Sequence, residues 1–239
     1  MNTKSSIGLS MRDEPRFAQP RRPERAASTR QGGAVSLNRF LVRACDLILC
    51  TLLILFLLPV FLTVALLIYL QDRGPVFFVQ NRVGRHGRDF KCMKFRSMSC
   101  NADVVFQRYL DAHPHEAANW HEYRKLDRDP RITPIGRFIR KTSIDEFPQL
   151  INVLKGEMSL VGPRPIMRDE VEKYGPSYKV YKSMLPGITG LWQVMGRNNL
   201  TYRKRVVLDR VFAGKISITY YLTILVMTVP AVLLQRGSK

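Results

Sequence analysis

The sequence predicts a mostly helical α/β fold in a monotopic membrane protein, anchored by a re-entrant helix near the N-terminus. Three observations lead to this prediction. Leu47–Gln71 is an uncharged apolar run of 25 residues, residues 216–235 form a second uncharged run, and short strand and helix patterns alternate between the two. We expect a disordered basic tail over residues 1–36, the re-entrant helix over 37–73, a small cytosolic domain over 74–215 and an interface helix over 216–239.

Residues 1–36 are polar and rich in Arg, Pro, Ser and Gly, without an apolar period. This composition is typical of a disordered segment. Its arginines could contact anionic lipid, although a solvated leader with no partner explains them equally well.

The run Leu47–Gln71 is long enough to cross a hydrocarbon core of about 30 Å. It lacks the polar face that a core helix of a soluble protein would show. Pro59, in its middle, removes a backbone donor and favours a kink. Arginines flank the run on both sides, and a straight crossing would leave one basic flank outside. A helix–break–helix that enters and leaves on the cytoplasmic face keeps both flanks on one side.

From Gly74 the composition is that of a globular domain. Val76–Val79 and Phe90–Phe95 are predicted strands joined by a turn at Gly84–Gly87, which together form a hairpin. The predicted helices are two within residues 101–126, Pro134–Lys141, Glu146–Lys155 with Gly156 at its end, and Asp169–Tyr174. The predicted loops, rich in Gly and Pro, are Val161–Pro165 and Pro186–Gly190.

Residues 216–235 are uncharged, with Lys215 before them and Arg236 after them. Pro230 and three threonines recur through the segment. Because polar residues recur, a helix that lies at the membrane interface is favoured over a second full crossing.

The charge and the cysteines narrow the class of protein. The chain carries 38 Lys and Arg against 19 Asp and Glu, a formal net charge of +19. Such an excess indicates an anionic partner, and nucleic acid, an anionic membrane surface and phosphorylated substrates all fit it. The long uncharged run does not suit a soluble nucleic-acid-binding module, so we expect no nucleic acid partner. The four cysteines match no zinc-binding spacing, which predicts reduced structural thiols.

Asp145 and Glu146 are adjacent acids that follow the cations Arg140 and Lys141. With Asp145 as the N-cap of a helix, Pro148 becomes the third helical residue, where a missing donor costs little. Both carboxylates would then lie at the positive end of a helix, which lowers their pKa and keeps them ionised. Ionised carboxylates suit nucleophilic attack on phosphorus and Mg²⁺ binding. Spacing alone nevertheless explains the pair better as an ordinary helix cap.

Basic residues on separate segments are candidates for binding a phosphorylated substrate. They are Lys94, Arg96, Arg140 and Arg164. A phosphate site needs several cations from different elements to converge on a few oxygens. The prolines on either side of Arg164 stiffen its backbone and reduce the entropy lost in fixing it. A solvated or lipid-facing basic surface explains the same residues, given the net charge of +19.

The segment Ile139–Pro165 resembles the signature of the bacterial sugar transferase family, the monotopic phosphoglycosyl transferases that start surface polysaccharides. Three further blocks match it in order: Gly74–Phe78, Lys91–Met98 and Pro186–Gln193. The resemblance extends from residue 37 to residue 236. The short chain with one membrane segment is most similar to the galactosyl-phosphate transferases that initiate exopolysaccharide synthesis.

The resemblance implies that sugar-1-phosphate passes from a UDP-sugar, UDP-galactose or UDP-glucose, to undecaprenyl phosphate, with release of UMP. It implies that Asp145 is the nucleophile and carries a covalent phosphosugar intermediate. Glu146 is expected to assist and to help place Mg²⁺, for which both carboxylates are the implied ligands. Lys94, Arg140 and Arg164 fall on positions expected to bind the phosphates.

The family fold implies a re-entrant membrane helix, interface helices and a small α/β catalytic domain. These would lie at the cytoplasmic face of the bacterial inner membrane, in contact with membrane lipids, and a homodimer is compatible with them. The family usually breaks its membrane helix at Ser-Pro, whereas this chain has Leu58-Pro59, so the hydroxyl that would satisfy a freed backbone group is absent. The alternative class is a non-catalytic membrane scaffold, against which the intact Asp145–Glu146 pair argues.

Overall fold

The computed structural model describes residues 25–116, 120, 126, 129–196 and 200–233, and side chains from Leu37 to Ala231 within those ranges. Most of the described residues are helical, and two small two-stranded sheets complete the fold. The predicted mostly helical α/β class is therefore confirmed. Residues 1–24 of the tail predicted for residues 1–36 lie outside the described residues.

The first helix, α1, extends from Arg25 to Asp72 and contains Pro59. It is the one helix of the described chain that is long and apolar enough to cross a membrane, judged by length and composition. Two predictions are wrong here. Residues 25–36 are helical rather than disordered, because extending an existing helix avoids the cost of nucleation. The helix also continues through Pro59 instead of breaking into two helices. A helix tolerates the loss of the one hydrogen bond that a proline removes when other contacts stabilise it.

Helix α1 contacts the globular part of the protein on both sides of Pro59. Before it, the Arg43 guanidinium donates to the Val153 carbonyl oxygen at 2.8 Å. After it, the Phe61 ring lies 5.5 Å from the Phe95 ring. The opposite face of the helix is bare, and Phe56 on that face is 80% exposed. An apolar surface of this length requires a non-aqueous environment.

Strands β1 (Phe77–Val83) and β2 (Asp89–Phe95) form the predicted hairpin, with the turn at Arg85–Gly87. Their antiparallel register pairs Phe78 with Lys94. Residues directly opposite each other share a face of a sheet, and so do alternate residues along a strand. Gln80 and Arg82 of β1 therefore lie on the same face as Lys94.

Strands β3 (Ser159–Val161) and β4 (Gly187–Thr189) pair in parallel. The loop prediction for Pro186–Gly190 is therefore wrong for its central residues. A three-residue strand is too short to show an alternating pattern, so its partner decides its conformation. Gly162 follows β3 directly, and the segment before β4 approaches it so closely that a Cβ atom on Gly162 would overlap the Leu185 carbonyl oxygen.

The remaining helices surround these sheets. They are α2 (Ala102–Ala112), α3 (Pro134–Lys141), α4 (Gln149–Lys155), α5 (Val171–Tyr174), α6 (Tyr178–Tyr181), α7 (Leu191–Met195), α8 (Tyr202–Gly214) and α9 (Ile218–Leu233). Helix α3 has the predicted bounds, and the Thr133 hydroxyl caps it by accepting from Gly136 N at 2.9 Å. The second helix predicted within residues 101–126 falls mostly outside the described residues.

Helix α9 covers most of the predicted C-terminal apolar segment. At a rise of about 1.5 Å per residue it is roughly 24 Å long, less than a hydrocarbon core of about 30 Å. Tyr221 and Ile224 on its inner face are buried against α1 and β3, while Val226 on its outer face is exposed. This one-sided burial is compatible with the predicted interface position.

Asp46 joins three elements of the fold. Its Oδ1 atom accepts hydrogen bonds from Leu160 N at 2.8 Å, Tyr221 OH at 2.7 Å and Ser159 Oγ at 3.0 Å. The donors belong to β3 and α9, and Asp46 itself belongs to α1. A single buried carboxylate therefore holds the membrane helix, the small parallel sheet and the C-terminal helix together.

A second buried carboxylate, Asp209, makes folding stability depend on pH. Burial raises its pKa to about 7, although it accepts a hydrogen bond from Tyr174 OH at 2.8 Å. The folded protein thus binds more protons than the unfolded chain between about pH 4 and pH 7, so stability falls as pH rises through that window. Asp209→Asn keeps an acceptor for Tyr174 and should remove this dependence, with a gain of up to about 4 kcal/mol above pH 7.

Thermal unfolding in detergent at pH 5 and pH 7.5 measures this effect. The wild type should lose more stability between the two values than the Asp209→Asn variant. Equal losses in the two proteins would show that Asp209 does not bind a proton on folding.

Candidate active site

Asp145 and Glu146 lie in a single 3₁₀ turn, Ile144–Glu146, between α3 and α4. Helix α4 begins only at Gln149, so the prediction that Asp145 is a helix N-cap is wrong. Ser143, before the turn, is in the left-handed region with φ of 59°. Such a conformation is costly for a residue other than glycine and is often found where a functional group must be held in place.

The Glu146 carboxylate is held by two cations. Its Oε1 atom accepts a hydrogen bond from Lys94 Nζ at 2.7 Å, and Arg164 Nη1 lies 3.6 Å from the same oxygen. Burial favours the neutral acid, but the charges of Lys94 and Arg164 outweigh burial and hold the pKa of Glu146 below its usual value. The prediction of an ionised carboxylate is supported for this residue.

Asp145 differs from its neighbour. Lys94 Nζ lies 4.0 Å from Asp145 Oδ2, and no hydrogen bond to the Asp145 carboxylate is formed within the described part of the chain. Burial and the nearby charge of Glu146 raise the pKa of Asp145 to about 6, so the prediction of a lowered pKa is wrong. At neutral pH the group is still mostly ionised. Its oxygens are thus both charged and free to form a bond.

Two of the other predicted cations join this pair. Arg140 Nε donates to Ser97 Oγ at 2.8 Å, and the side chain lines the same cavity as Asp145. Arg164 also lines this cavity and is 42% exposed, so it is accessible to a substrate. Cations from a strand, a helix and a loop therefore converge, as phosphate binding requires.

Arg96 does not join the group. Strand β2 ends at Phe95, and the Arg96 side chain turns to the end of α1, where it pairs with Asp72 and contacts the Ile68 carbonyl oxygen. The structure gives Arg96 the role of connecting α1 to the hairpin. The sequence shows Arg96 only as one of many cations in a basic chain, so its pairing with Asp72 could not be predicted.

Sequence reasoning missed Arg82 as part of the site. Its guanidinium donates to the Pro165 carbonyl oxygen at 3.3 Å and to Gln80 Oε1 at 2.7 Å, and it lies 3.6 Å from a Glu170 carboxylate oxygen. Arg82 thereby supports the loop that carries Arg164. The signal was available, because the hairpin register places Arg82 and Lys94 on one face.

The pair and its cations open into a cavity of about 910 Å³. Its lining includes the charged side chains of Lys94, Arg140, Asp145, Glu146 and Arg164. It also includes apolar side chains of the two membrane-associated helices, Leu53 and Leu57 of α1 and Leu225, Val229 and Ala231 of α9, together with the polar side chains of Gln193 and Arg205. The cavity therefore suits a ligand set with both anionic and hydrocarbon parts.

The described residues include no group of three or more His, Cys, Asp or Glu side chains that could hold a metal by themselves. Asp145 and Glu146 offer two adjacent carboxylates, of which Asp145 has free oxygens. Mg²⁺ commonly binds through one or two carboxylates together with substrate phosphates and water. The donor set therefore fits an ion shared with a phosphorylated substrate and does not fit an all-protein cage.

The fold and this site place the chain in a class of membrane-associated transferases. The chain belongs to the bacterial sugar transferase family, whose pattern matches residues 37–235. The resemblance on the Asp145–Glu146 segment is thus confirmed over most of the chain.

Curated relatives show which members of the family are similar to it. The exopolysaccharide production protein ExoY of Sinorhizobium fredii (strain NBRC 101917 / NGR234) is 41% identical over 216 residues, which cover 90% of this chain and 93% of that one. The undecaprenyl-phosphate galactose phosphotransferase of Salmonella typhimurium is 46% identical, covering 84% of this chain but 42% of that one. The UDP-glucose:undecaprenyl-phosphate glucose-1-phosphate transferase of Escherichia coli K12 is 38% identical, covering 81% of this chain and 40% of that one.

Proposed function

We propose that this chain transfers galactose-1-phosphate from UDP-galactose to undecaprenyl phosphate, giving undecaprenyl-diphosphate-galactose and UMP. The observation that carries the proposal is the free, ionised Asp145 carboxylate beside three cations, in a cavity that is also lined by apolar residues of the two membrane-associated helices. Galactose is proposed because a relative named for galactose is 46% identical. Glucose is the second candidate, because a relative named for glucose is 38% identical.

The reaction proceeds in two displacements. In the first, an Asp145 oxygen attacks the phosphorus that carries the sugar, and the bond from this phosphorus to the bridging oxygen breaks. The electron pair stays on that oxygen, and UMP leaves. In the second, a phosphate oxygen of the lipid attacks the same phosphorus, and the bond to Asp145 breaks. The carboxylate is thereby regenerated and the lipid diphosphate is released.

Lys94, Arg140 and Arg164 stabilise the charge that develops on the phosphoryl oxygens during both displacements. Glu146 holds Lys94 and Arg164 at its own Oε1 atom and so positions them around Asp145. Asp145 and Glu146 would hold Mg²⁺ together with the diphosphate. When bound, that ion would offset negative charge on the transferring phosphoryl group and the leaving UMP.

The release of UMP tests the proposed function. Purified protein in detergent, with Mg²⁺, polyprenyl phosphate and UDP-galactose, should release UMP and form a lipid-linked diphosphate sugar. A parallel reaction with UDP-glucose ranks the two donors. Release of UDP instead of UMP would mean that the sugar moves without its phosphate, and would refute the proposal.

We propose further that the catalytic domain lies on the cytoplasmic face of the inner membrane and that α1, although a single helix, bends at Pro59 and is re-entrant. Contacts to the domain on both sides of Pro59 support this, because a straight crossing would carry one end of α1 away from the domain. In a cysteine-free background, Arg30→Cys and Arg88→Cys should react with an impermeant maleimide only after the cells are permeabilised. Labelling of Arg30→Cys in intact cells would contradict the re-entrant arrangement.

A further inference from the structure

Apolar side chains of α1 and α9 line part of the active-site cavity. We call this part the tail groove and define it by Leu53, Leu57, Leu225 and Val229. Asp145 lines the same cavity. We infer that the tail groove binds the first isoprene units of the polyprenyl phosphate, a role that rests on the proposed function.

The chemistry of the two substrates decides which one occupies the groove. The nucleotide, the sugar and the diphosphate of the donor are polar, and burying them against leucine and valine side chains would leave their polar groups without partners. The acceptor has an anionic head and a branched hydrocarbon chain. With its phosphate among Lys94, Arg140 and Arg164, its chain must leave the site along an apolar path. The tail groove is the apolar wall of this cavity.

Two hydroxyl groups beside the groove are already paired with protein atoms. Thr228 lies next to Val229, and its hydroxyl donates to the Ile224 carbonyl oxygen at 2.8 Å. The same hydroxyl is 2.9 Å from Thr189 Oγ1. Since each threonine uses the other as a partner, a hydrocarbon chain can pass them without breaking a hydrogen bond to water.

The groove is open to its surroundings along the two helices. Leu53 is 39% exposed and Val229 is 59% exposed. The outer faces of α1 and α9 are also apolar, so the groove opens onto the part of the protein that requires a non-aqueous environment. A lipid could therefore enter sideways from the bilayer while its phosphate reaches the cations.

Filling the groove tests the inference. Leu53→Trp and Val229→Trp place a large ring in the groove, while Leu52→Trp and Val226→Trp place the same ring on exposed faces of the same helices outside the cavity. Two rates are compared. One is the exchange of labelled UMP into UDP-galactose, which uses the donor half-reaction alone. The other is turnover with undecaprenyl phosphate below its KM.

In the groove variants, the ratio of acceptor turnover to exchange should fall about tenfold or more, since the added ring occupies the space that the hydrocarbon chain would fill and so removes binding free energy. In the control variants the ratio should equal that of the wild type. An unchanged ratio in both groove variants would overturn the inference, as would a loss of exchange equal to the loss of turnover, because the groove would then serve the donor. Absence of exchange in the wild-type protein would instead refute the two-displacement reaction, and the inference with it.

Discussion

Replacing Asp145 by Asn should abolish UMP release, lowering the rate by about four orders of magnitude or more. Asn has nearly the same size and shape, so the 3₁₀ turn should keep its geometry. Its uncharged amide is a poor nucleophile. The neighbouring Glu146 is held by Lys94 at 2.7 Å, and this ion pair keeps it in a position different from that of Asp145.

The mass of the intact protein separates a covalent role from a supporting one. Wild-type protein incubated with UDP-galactose and without acceptor should gain the mass of a galactose phosphate, and Asp145→Asn should not. Glu146→Gln should still form the adduct, but more slowly. Asp111→Asn, an exposed acid on α2, controls for the loss of one negative charge. An adduct on Asp145→Asn would show that another residue is the nucleophile.

Replacing Asp46 by Ala should lower the free energy of unfolding by about 3–5 kcal/mol, the largest stability loss that we expect from one substitution. Asp46 Oδ1 is the common acceptor for Leu160 N, Tyr221 OH and Ser159 Oγ. Alanine would leave these three donors buried and unpaired, and each unpaired donor carries a desolvation penalty of about 1–3 kcal/mol. Thermal unfolding in detergent measures the loss.

Asp46→Asn is the matched control, since its amide oxygen can still accept from all three donors. It should lose much less stability than Asp46→Ala. Cys50 lies one helical turn further along α1 and is fully buried. With alanine at the other three cysteines, it should react with a thiol reagent much faster in Asp46→Ala than in Asp46→Asn, because α1 separates from β3 and α9. Equal stability of the two variants would mean that Asp46 does not hold these elements together.

Local signals predicted the elements that form locally. The hairpin followed from two short strand patterns around the turn Gly84–Gly87. Helix α3 has its predicted bounds, and the structure shows Pro134 at its first position and Thr133 as its cap. The parallel pair of β3 and β4 was missed, because each strand has three residues and is stabilised by a partner distant in sequence. The uninterrupted course of α1 through Pro59 was missed for a related reason, since packing against the domain outweighs one lost hydrogen bond.

The sequence by itself determined the family, the membrane association and the segment that carries the acid pair, because these depend on residue order, on apolar length and on motif spacing. Only the tertiary structure decided how the two acids differ. Glu146 is tied to Lys94 and has a lowered pKa, whereas Asp145 is buried without a hydrogen bond and has a pKa of about 6. The tertiary structure also showed that Arg96 lies away from the site and that Arg82 belongs to it. A pKa and a contact depend on burial and on neighbours brought from distant segments, and neither can be read from adjacent residues alone.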